Sequence, residues 1–222
     1  MDSYNIIVAN GLLPRTRRIF NLINNALHVI VCDGAINTYF SYTERRPDYV
    51  IGDGDSANMR IIEKKGLTYI QVEDQETNDL TKAVESGRER GWDNFVIIGA
   101  TGQREDHTIG NIFLLAHYLT LGVHVTMEAT KGVFIPVQGS FQRKVGRLRT
   151  VSIFSIDREP ITASGLEYPI ENKVLEELWE GTLNRTTDDT LTIQSEGRYI
   201  VFLGKKPANS MLAKEDGEGY DD

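Results

Sequence analysis

The chain has 222 residues, of which 40% are hydrophobic, and a formal net charge of -8. This length fits one large domain or two small ones, and no apolar run reaches the roughly 20 residues that a membrane-spanning helix needs. The acidic balance argues against general nucleic-acid binding, which depends on Lys and Arg contacts to phosphates. The single cysteine, Cys32, excludes an internal disulfide framework. Together with a first segment that lacks a signal-peptide pattern, it predicts a cytoplasmic protein.

Up to about residue 130, apolar runs of strand type alternate with segments of helical composition. The predicted strands span 5–9, 28–31, 49–51, 68–72, 95–98 and 123–127, and the predicted helices span 14–25, 35–42, 57–65, 79–90 and 107–121. In the last helix, Ile109, Ile112, Phe113, Ala116 and Leu119 are expected to lie on one face. Strands that alternate with helices predict parallel pairing through right-handed crossovers. We therefore predict, for residues 1–130, a doubly wound, mostly parallel sheet with helices on both faces.

From residue 131 onward the pattern changes to short β-type runs separated by Gly, Pro and Asp. These runs span 134–137, 150–155, 161–164, 190–194 and 199–203. No long amphipathic helix interrupts them, so residues 131–208 are predicted to form a small antiparallel β-sandwich domain. The acidic stretch 209–222 has almost no large apolar residues and is predicted to be a disordered tail.

Five polar segments rich in Asp, Asn or Gly follow predicted strands. They span 10–11, 33–37, 52–56, 74–79 and 99–107. In an open α/β sheet, ligands bind beyond the carboxyl ends of the strands. Carboxylates that cluster there repel one another unless a cation lies between them. The pattern therefore predicts a site for a metal ion and phosphate groups.

The acids of these segments are the candidate metal ligands. Asp53 and Asp55, separated by Gly54, are able to point two carboxylates into one space, and Mg²⁺ prefers such oxygen ligands together with substrate phosphates. The alternative is a solvated Asp-Gly turn. Asp79 lies in the first turn of a predicted helix, where an acid also complements the helix dipole. Gln75 is placed to orient a metal-bound water or a phosphate, or to have no role.

Residues 99–111 read as a strand end, a Gly-x-x-Gly turn and a helix start. Backbone N–H groups at such a turn favour anions, and Arg104 is suited to grip a phosphate. Asp106 adds another acid, and His107 and Asn111 share a helix face. The alternatives are a pair of turn glycines, a surface arginine and a helix-capping aspartate. Because no nucleophile–base motif is found, direct metal-assisted transfer is predicted rather than a covalent intermediate.

Four of these motifs, in this order, resemble those of the thiamine pyrophosphokinase family. They are residues 33–37 (DGAIN), 47–56 (PDYVIGDGDS), 74–83 (DQETNDLTKA) and 102–107 (GQREDH) with Asn111. Residues 165–172 (GLEYPIEN) also resemble a part of the family's thiamine-binding domain. The resemblance implies that the pyrophosphoryl group of ATP is transferred to the hydroxyl of thiamine, which gives thiamine diphosphate and AMP.

The resemblance also assigns roles to individual residues. It implies that Mg²⁺ is held by Asp53, Asp55 and Asp79, and that Gln75 and Asp106 complete the catalytic set. It implies an ATP and phosphate site formed by Asp33, Gly34, Asn37, Gly102, Arg104, His107 and Asn111. It further implies a homodimer whose thiamine site is completed across the interface, with Tyr168 and Asn184 at thiamine.

Two positions depart from the family pattern. Gly54 stands where the family usually has a bulky apolar residue, and Leu183 replaces the Ser that often precedes the residue at Asn184.

The general base is left open between Asp79 and Asp106. The alternative functions are a Mg²⁺-dependent transferase acting on another small alcohol or an aminopyrimidine, a non-catalytic nucleotide or thiamine sensor, and an acidic scaffold protein.

Overall fold

The computed structural model describes residues 3–74 and 76–206. The chain divides into two compact units, and the boundary lies between Thr130 and Lys131. The predictions for Gln75 and for the tail 209–222 fall outside the described residues. Among the described residues, no helix has both the length and the apolar character needed to cross a membrane.

In the described part of the first unit, six strands pair in parallel. They are β1 (Asn5–Val8), β2 (Val29–Cys32), β3 (Tyr49–Gly52), β4 (Tyr69–Gln71), β5 (Asn94–Ile98) and β6 (His124–Ala129). Their order in the sheet is β4-β3-β2-β1-β5-β6, with every neighbouring pair parallel. The chain moves outward from β1 to β4 and then returns to the other side of β1. The strand order therefore reverses between β1 and β5, which is where ligands bind in such sheets.

Helices cover both faces of this sheet. They are α1 (Arg17–Asn25), α2 (Ile36–Tyr39), α3 (Met59–Lys65), α4 (Asp79–Glu89) and α5 (Glu105–Thr120), with a 3₁₀ turn at Asp33–Ala35 before α2. Side chains of α1, α2 and α3 share one buried cluster with Ile6 and Val8 of β1. The helix α4 instead contacts β1, β2 and β3 through buried residues outside that cluster, such as Ala83. The predicted doubly wound α/β fold is confirmed.

Capping side chains fix where the helices begin. The prediction that a helix begins at Pro14 is wrong, because Thr16 is the N-cap of α1 and its hydroxyl oxygen accepts a hydrogen bond from Ile19 N at 3.3 Å. Asn58 and Asn78 cap α3 and α4 in the same way. Pro14 therefore lies in the connection that precedes the first helical turn.

Replacing Thr16 by Ala should lower the free energy of unfolding by about 1 kcal/mol, because the first turn of α1 loses its side-chain acceptor. Denaturant unfolding measures this change, and Thr16→Ser, which keeps the hydroxyl, serves as the control. Equal stability of the Ala variant and the wild type would contradict a capping role.

The helix α5 does not bury all of the residues predicted on its apolar face. The fully buried residues are Leu115, Ala116 and Tyr118, whereas Ile109 is 58% exposed. This helix is apolar at every position from Ile112 to Ala116, so periodicity does not define a single face. The buried residues include Tyr118, whose hydroxyl lies 3.0 Å from that of Thr81 in α4.

The second unit is an antiparallel β-sandwich. One sheet has the order β12 (Asn184–Arg185), β9 (Thr150–Ser155), β14 (Arg198–Gly204), β7 (Gly132–Gln138), and the other has the order β11 (Ile170–Lys173), β10 (Ile161–Ser164), β13 (Thr190–Gln194), β8 (Phe141–Lys144). One buried cluster takes side chains from both sheets, including Ile153 and Ile193. The predicted antiparallel sandwich is confirmed. The strands β8, β11 and β12 were not predicted, because these edge strands are short and polar and lack an apolar run.

Candidate active site

Three carboxylates lie together at the carboxyl ends of two neighbouring strands. One oxygen from each of Asp33, Asp53 and Asp55 lies within 4.8 Å of the others. Asp33 follows β2 and is fully buried, whereas Asp53 and Asp55 follow β3 and are half-buried and exposed, respectively. We call this set the carboxylate group. The structure thus adds Asp33, predicted at ATP, to the predicted Asp53–Asp55 pair.

The pairing register of β2 and β3 places Asp33 in this group. Cys32 pairs with Ile51, so the next residues, Asp33 and Gly52, lie side by side. A Cβ atom on Gly52 would lie only 2.3 Å from the Cβ of Asp33. A glycine is therefore required at position 52 for the aspartate to occupy its present position.

Hydrogen bonds hold the Asp33 carboxylate from both sides. Its Oδ2 accepts bonds from the backbone N and the hydroxyl of Ser56, both at 3.1 Å. Its Oδ1 accepts a bond from the Tyr69 hydroxyl at 2.9 Å. Burial, followed by this bond to Asp33, raises the pKa of the Tyr69 hydroxyl, which keeps it a donor. The side chain of Asp33 is thereby oriented before any ligand binds.

The loop that carries Asp53 and Asp55 is also braced. Asp53 Oδ1 accepts a bond from Asp55 N at 3.1 Å, and Gly54 between them has φ +92°, a value that favours glycine. Asn37, predicted at ATP, donates to Ser56 O at 3.0 Å and accepts from Asn58 N at 2.9 Å. These contacts give Asn37 a loop-holding position, and its contact with ATP stays a prediction. Gly34, the other glycine predicted there, approaches Asn10 so closely that a Cβ would lie 2.3 Å from Asn10 Nδ2.

Asp79 lies outside the carboxylate group and is paired with a buried lysine. Lys82 Nζ lies 3.5 Å from Asp79 Oδ1, and the lysine side chain is only 3% exposed. Burial raises the pKa of Asp79, Lys82 opposes that rise, and Asp33 and Asp53 reinforce it. Asp79 therefore lies within electrostatic reach of the carboxylate group, and its ligation of the metal stays a prediction. Sequence reasoning missed Lys82, although its spacing of three residues from Asp79 on a helix was the available signal.

Asp79 lies in the first turn of α4, but the residue that caps this helix is Asn78. Asn78 Oδ1 accepts a bond from Thr81 N at 3.0 Å, and Asn78 Nδ2 donates to Asn111 Oδ1 at 3.1 Å. Asn111 in turn donates to Ala100 O at 2.9 Å. Asn111, predicted at ATP, thus links α4, α5 and the loop after β5.

The loops after β1 and β5 are joined where the strand order reverses. Gly11 N donates to Gly99 O at 2.5 Å, and Leu12 N donates to Thr101 O at 2.8 Å. Both Gly99 and Gly102 have positive φ values, +68° and +85°. The predicted turn therefore requires its two glycines, while its phosphate-binding role stays a prediction.

Arg104 and Asp106 form an ion pair at the start of α5. Arg104 donates to the two carboxylate oxygens of Asp106 at 3.1 and 2.5 Å, and both side chains are mostly exposed. The hydrogen bond from Arg104 is the main reason that the pKa of Asp106 falls to about 2. His107 beside them is exposed. Asp106 is therefore a weak proton acceptor in this arrangement.

The second unit has a cavity of about 540 Å³ that is lined by both residues predicted to bind thiamine. Tyr168 is 65% exposed at this cavity, and Asn184 is buried beside it. Asn184 donates to Tyr168 O at 2.7 Å and accepts from Tyr168 N at 3.1 Å, so its amide fixes the backbone of the tyrosine. Leu183, at the position of the family's Ser, has φ +60° and is 89% exposed. Lys173 and Glu180, 3.0 Å apart, supply charges to the same cavity.

The chain combines a parallel α/β unit, which has carboxylates at its strand ends, with a β-sandwich unit that has a cavity. These features define a two-unit α/β protein with an acidic candidate active site in the first unit. Residues 19–127 match the family model described as thiamin pyrophosphokinase, catalytic domain, and residues 132–202 match thiamin pyrophosphokinase, substrate-binding domain. The chain belongs to the thiamin pyrophosphokinase family. The predicted family and the predicted enzyme class, thiamine diphosphokinase, are confirmed.

Several solved structures of similar fold are named thiamin pyrophosphokinase. The thiamine pyrophosphokinase of Bacillus subtilis is 22% identical with a TM-score of 0.75, and 92% of this chain and 100% of that chain are covered. The Candida albicans enzyme is 16% identical with a TM-score of 0.76, and the coverage is 92% and 90%. The yeast enzyme is 15% identical with a TM-score of 0.75, and the coverage is 92% and 87%. No curated protein sequence matches this chain.

Proposed function

We propose that this protein transfers the pyrophosphoryl group of ATP to the hydroxyl of thiamine in a Mg²⁺-dependent reaction that yields thiamine diphosphate and AMP. The observation that carries the proposal is the carboxylate group of Asp33, Asp53 and Asp55, in which one oxygen of each residue lies within 4.8 Å of the others. It occurs in a chain whose two units match the catalytic and substrate-binding domains of one family. Neither a scaffold nor a simple surface turn requires this convergence.

The carboxylate group fits a magnesium ion. Its donors are all carboxylate oxygens, the ligand type that Mg²⁺ prefers, and its members differ in exposure, from the buried Asp33 to the exposed Asp55. The exposed side leaves room for water and substrate phosphates. Asp79 is the additional ligand that we propose from the sequence, because its carboxyl group interacts electrostatically with Asp33 and Asp53.

When bound, Mg²⁺ would neutralise negative charge on the ATP phosphates. We propose that the backbone N–H groups of the Gly99–Gly102 turn and the guanidinium of Arg104 bind the remaining phosphate charge. The thiamine hydroxyl oxygen forms a bond to the β-phosphorus of ATP, the bond from that phosphorus to the α-phosphate oxygen breaks, and AMP leaves. Such a transfer depends mainly on positioning and electrostatics.

Of the two acids considered as the base, Asp79 is the better supported. Burial raises the pKa of Asp79, whereas Arg104 lowers the pKa of Asp106 to about 2. We therefore propose that the carboxylate oxygen of Asp79 that does not bind the metal receives the proton of the thiamine hydroxyl. Asp106 then serves to orient Arg104.

The cavity of the second unit is the proposed thiamine subsite. Thiamine carries a cationic thiazolium ring, which is attracted to an aromatic face such as that of Tyr168. Asn184 would act there by holding Tyr168 in place. The homodimer that completes this subsite and the cytoplasmic location stay proposals, supported by the family resemblance and by the single cysteine.

The test is product analysis by mass spectrometry after incubation with thiamine, ATP and Mg²⁺. Thiamine diphosphate formed together with AMP is the expected result. Thiamine monophosphate with ADP would contradict attack at the β-phosphorus. Binding of thiamine without any product would favour a sensor, and turnover with another vitamin alcohol but not with thiamine would favour a different acceptor.

A further inference from the structure

Two side chains of strand β4 lie against the carboxylate group. Tyr69 and Gln71 are two residues apart and therefore point to the same face of the strand. The Tyr69 hydroxyl donates to Asp33 Oδ1 at 2.9 Å, and Gln71 Nε2 donates to the backbone oxygen of Asp53 at 3.3 Å. The edge strand of the parallel sheet thus contacts two of the three acids, although it contributes no acid itself.

The glycine between the two loop acids leaves room for this contact. A Cβ atom on Gly54 would lie 3.5 Å from the Tyr69 hydroxyl oxygen and 3.9 Å from Gln71 Nε2. A bulky side chain at this position would therefore extend toward the two β4 side chains. The φ of +92° at Gly54 also disfavours any other residue. This chain therefore has a glycine at position 54, where the family usually has a bulky apolar residue, and it also has a tyrosine hydroxyl beside Asp33.

The tyrosine contact matters because Asp33 is fully buried. A buried carboxylate needs hydrogen-bond donors, and the described donors to Asp33 are the N and hydroxyl of Ser56 on one oxygen and Tyr69 on the other. Both Ser56 bonds reach Oδ2, so Tyr69 supplies the contact that fixes Oδ1. Without it, the carboxylate is held at one oxygen and is able to turn about its Cβ–Cγ bond.

We propose that Tyr69 is a positioning residue whose hydroxyl fixes the orientation in which the Asp33 carboxylate, with Asp53 and Asp55, binds a divalent cation. The inference rests on the proposed metal-binding role of the carboxylate group. It adds a contribution from β4, whose side chains would orient the metal ligands without binding the metal themselves. Residues that orient metal ligands typically affect metal affinity. Tyr69 acts through Asp33 and does not itself contact the substrate.

The test is the variant Tyr69→Phe, which removes only the hydroxyl. Mn²⁺ binding to the protein without nucleotide is followed by electron paramagnetic resonance of the unbound ion. We expect Mn²⁺ to bind about 10–100-fold more weakly to the variant, the range usual for residues that orient metal ligands. The matched control is Tyr39→Phe, because the buried Tyr39 hydroxyl has no hydrogen-bond partner among the described residues. This control should bind Mn²⁺ like the wild type.

A second variant keeps the test informative if Tyr69→Phe does not fold. Ser56→Ala removes the hydroxyl donor to Oδ2 but keeps the backbone donor, so Mn²⁺ binding should weaken by a smaller factor. In turnover assays, Tyr69→Phe should raise the Mg²⁺ concentration needed for half-maximal rate while the KM for thiamine stays unchanged.

Wild-type affinity for Mn²⁺ in a folded Tyr69→Phe variant would overturn the inference, as would a wild-type protein that binds no Mn²⁺. If Tyr69→Phe does not fold, unchanged Mn²⁺ affinity in Ser56→Ala would overturn the premise that side-chain hydrogen bonds to Asp33 govern cation binding, and with it the inference. The Mn²⁺ titration needs neither thiamine nor ATP, so it is independent of the product analysis. A protein that binds Mn²⁺ through this arrangement but does not form thiamine diphosphate would contradict the proposed reaction and still support the role of Tyr69.

Discussion

Replacing Asp53 by Asn is expected to reduce turnover at least about 100-fold. Residues that only orient metal ligands typically cost about 10–100-fold in activity when they are changed, and the loss of a ligand itself should cost no less. The substitution keeps the size of the side chain and an oxygen able to accept the bond from Asp55 N. It removes one of three carboxylates that each place one oxygen within 4.8 Å of the others. Less mutual repulsion then leaves the metal-free protein at least as stable as the wild type. Steady-state rates and thermal unfolding without divalent ions measure both effects.

The control for this change is Asp188→Asn, which makes the same substitution at an exposed position of the second unit. It should leave turnover unchanged. A well-folded Asp53→Asn variant with near-normal turnover would remove Asp53 from the proposed metal site. A variant that is much less stable than the wild type would instead indicate a structural role for this carboxylate.

Replacing Gly52 by Ala is expected to lower both activity and stability, although Gly52 has no side chain that could take part in the reaction. The added methyl carbon would lie 2.3 Å from the Cβ and 2.7 Å from the Cγ of Asp33, so one of the two residues must move. Asp33 is held by Ser56 and Tyr69, and its displacement would disturb the carboxylate group. Overpacking of this kind costs about 1–3 kcal/mol of stability, and a misplaced ligand should reduce turnover at least about 10-fold.

Gly110→Ala is the matched control, because a Cβ at this position in α5 meets nothing within 4 Å. An alanine in a helix should raise the free energy of unfolding by about 0.5–1 kcal/mol and leave turnover unchanged. Denaturant unfolding and steady-state assays of the two variants measure the contrast. Wild-type activity and stability in Gly52→Ala would show that the close approach of Gly52 to Asp33 does not fix the aspartate.

Much of the fold could be predicted because it depends on the pattern of apolar and polar residues within short segments. Alternation of strand-type and helix-type segments indicated the doubly wound sheet, and short β runs after residue 131 indicated the sandwich. The errors occurred where tertiary contacts decide the outcome. Which side of the apolar α5 is buried depends on its packing, which includes the contact between Tyr118 and Thr81, and the edge strand β12 shows no apolar run because it is short and polar.

The candidate site was partly predictable for the same reason. The Asp53–Asp55 pair and the Gly99–Gly102 turn lie in short stretches whose chemistry is visible in consecutive residues. The pairing of Arg104 with Asp106 was also local, but a spacing of two residues does not show whether an arginine contacts a neighbour or a ligand. The burial of Lys82 beside Asp79 was not predicted, because burial depends on how α4 packs on the sheet.

The sequence by itself determined the two-unit α/β and β architecture, the family and the positions of the acids after predicted strands. These features depend on hydrophobic periodicity and turn chemistry, which are properties of neighbouring residues. Only the tertiary structure decided that Asp33 joins Asp53 and Asp55 and that Tyr69 reaches Asp33. The physical reason is that distances between residues on different strands follow from strand order and pairing register, as in the pairing of Cys32 with Ile51 that places Asp33 beside Gly52.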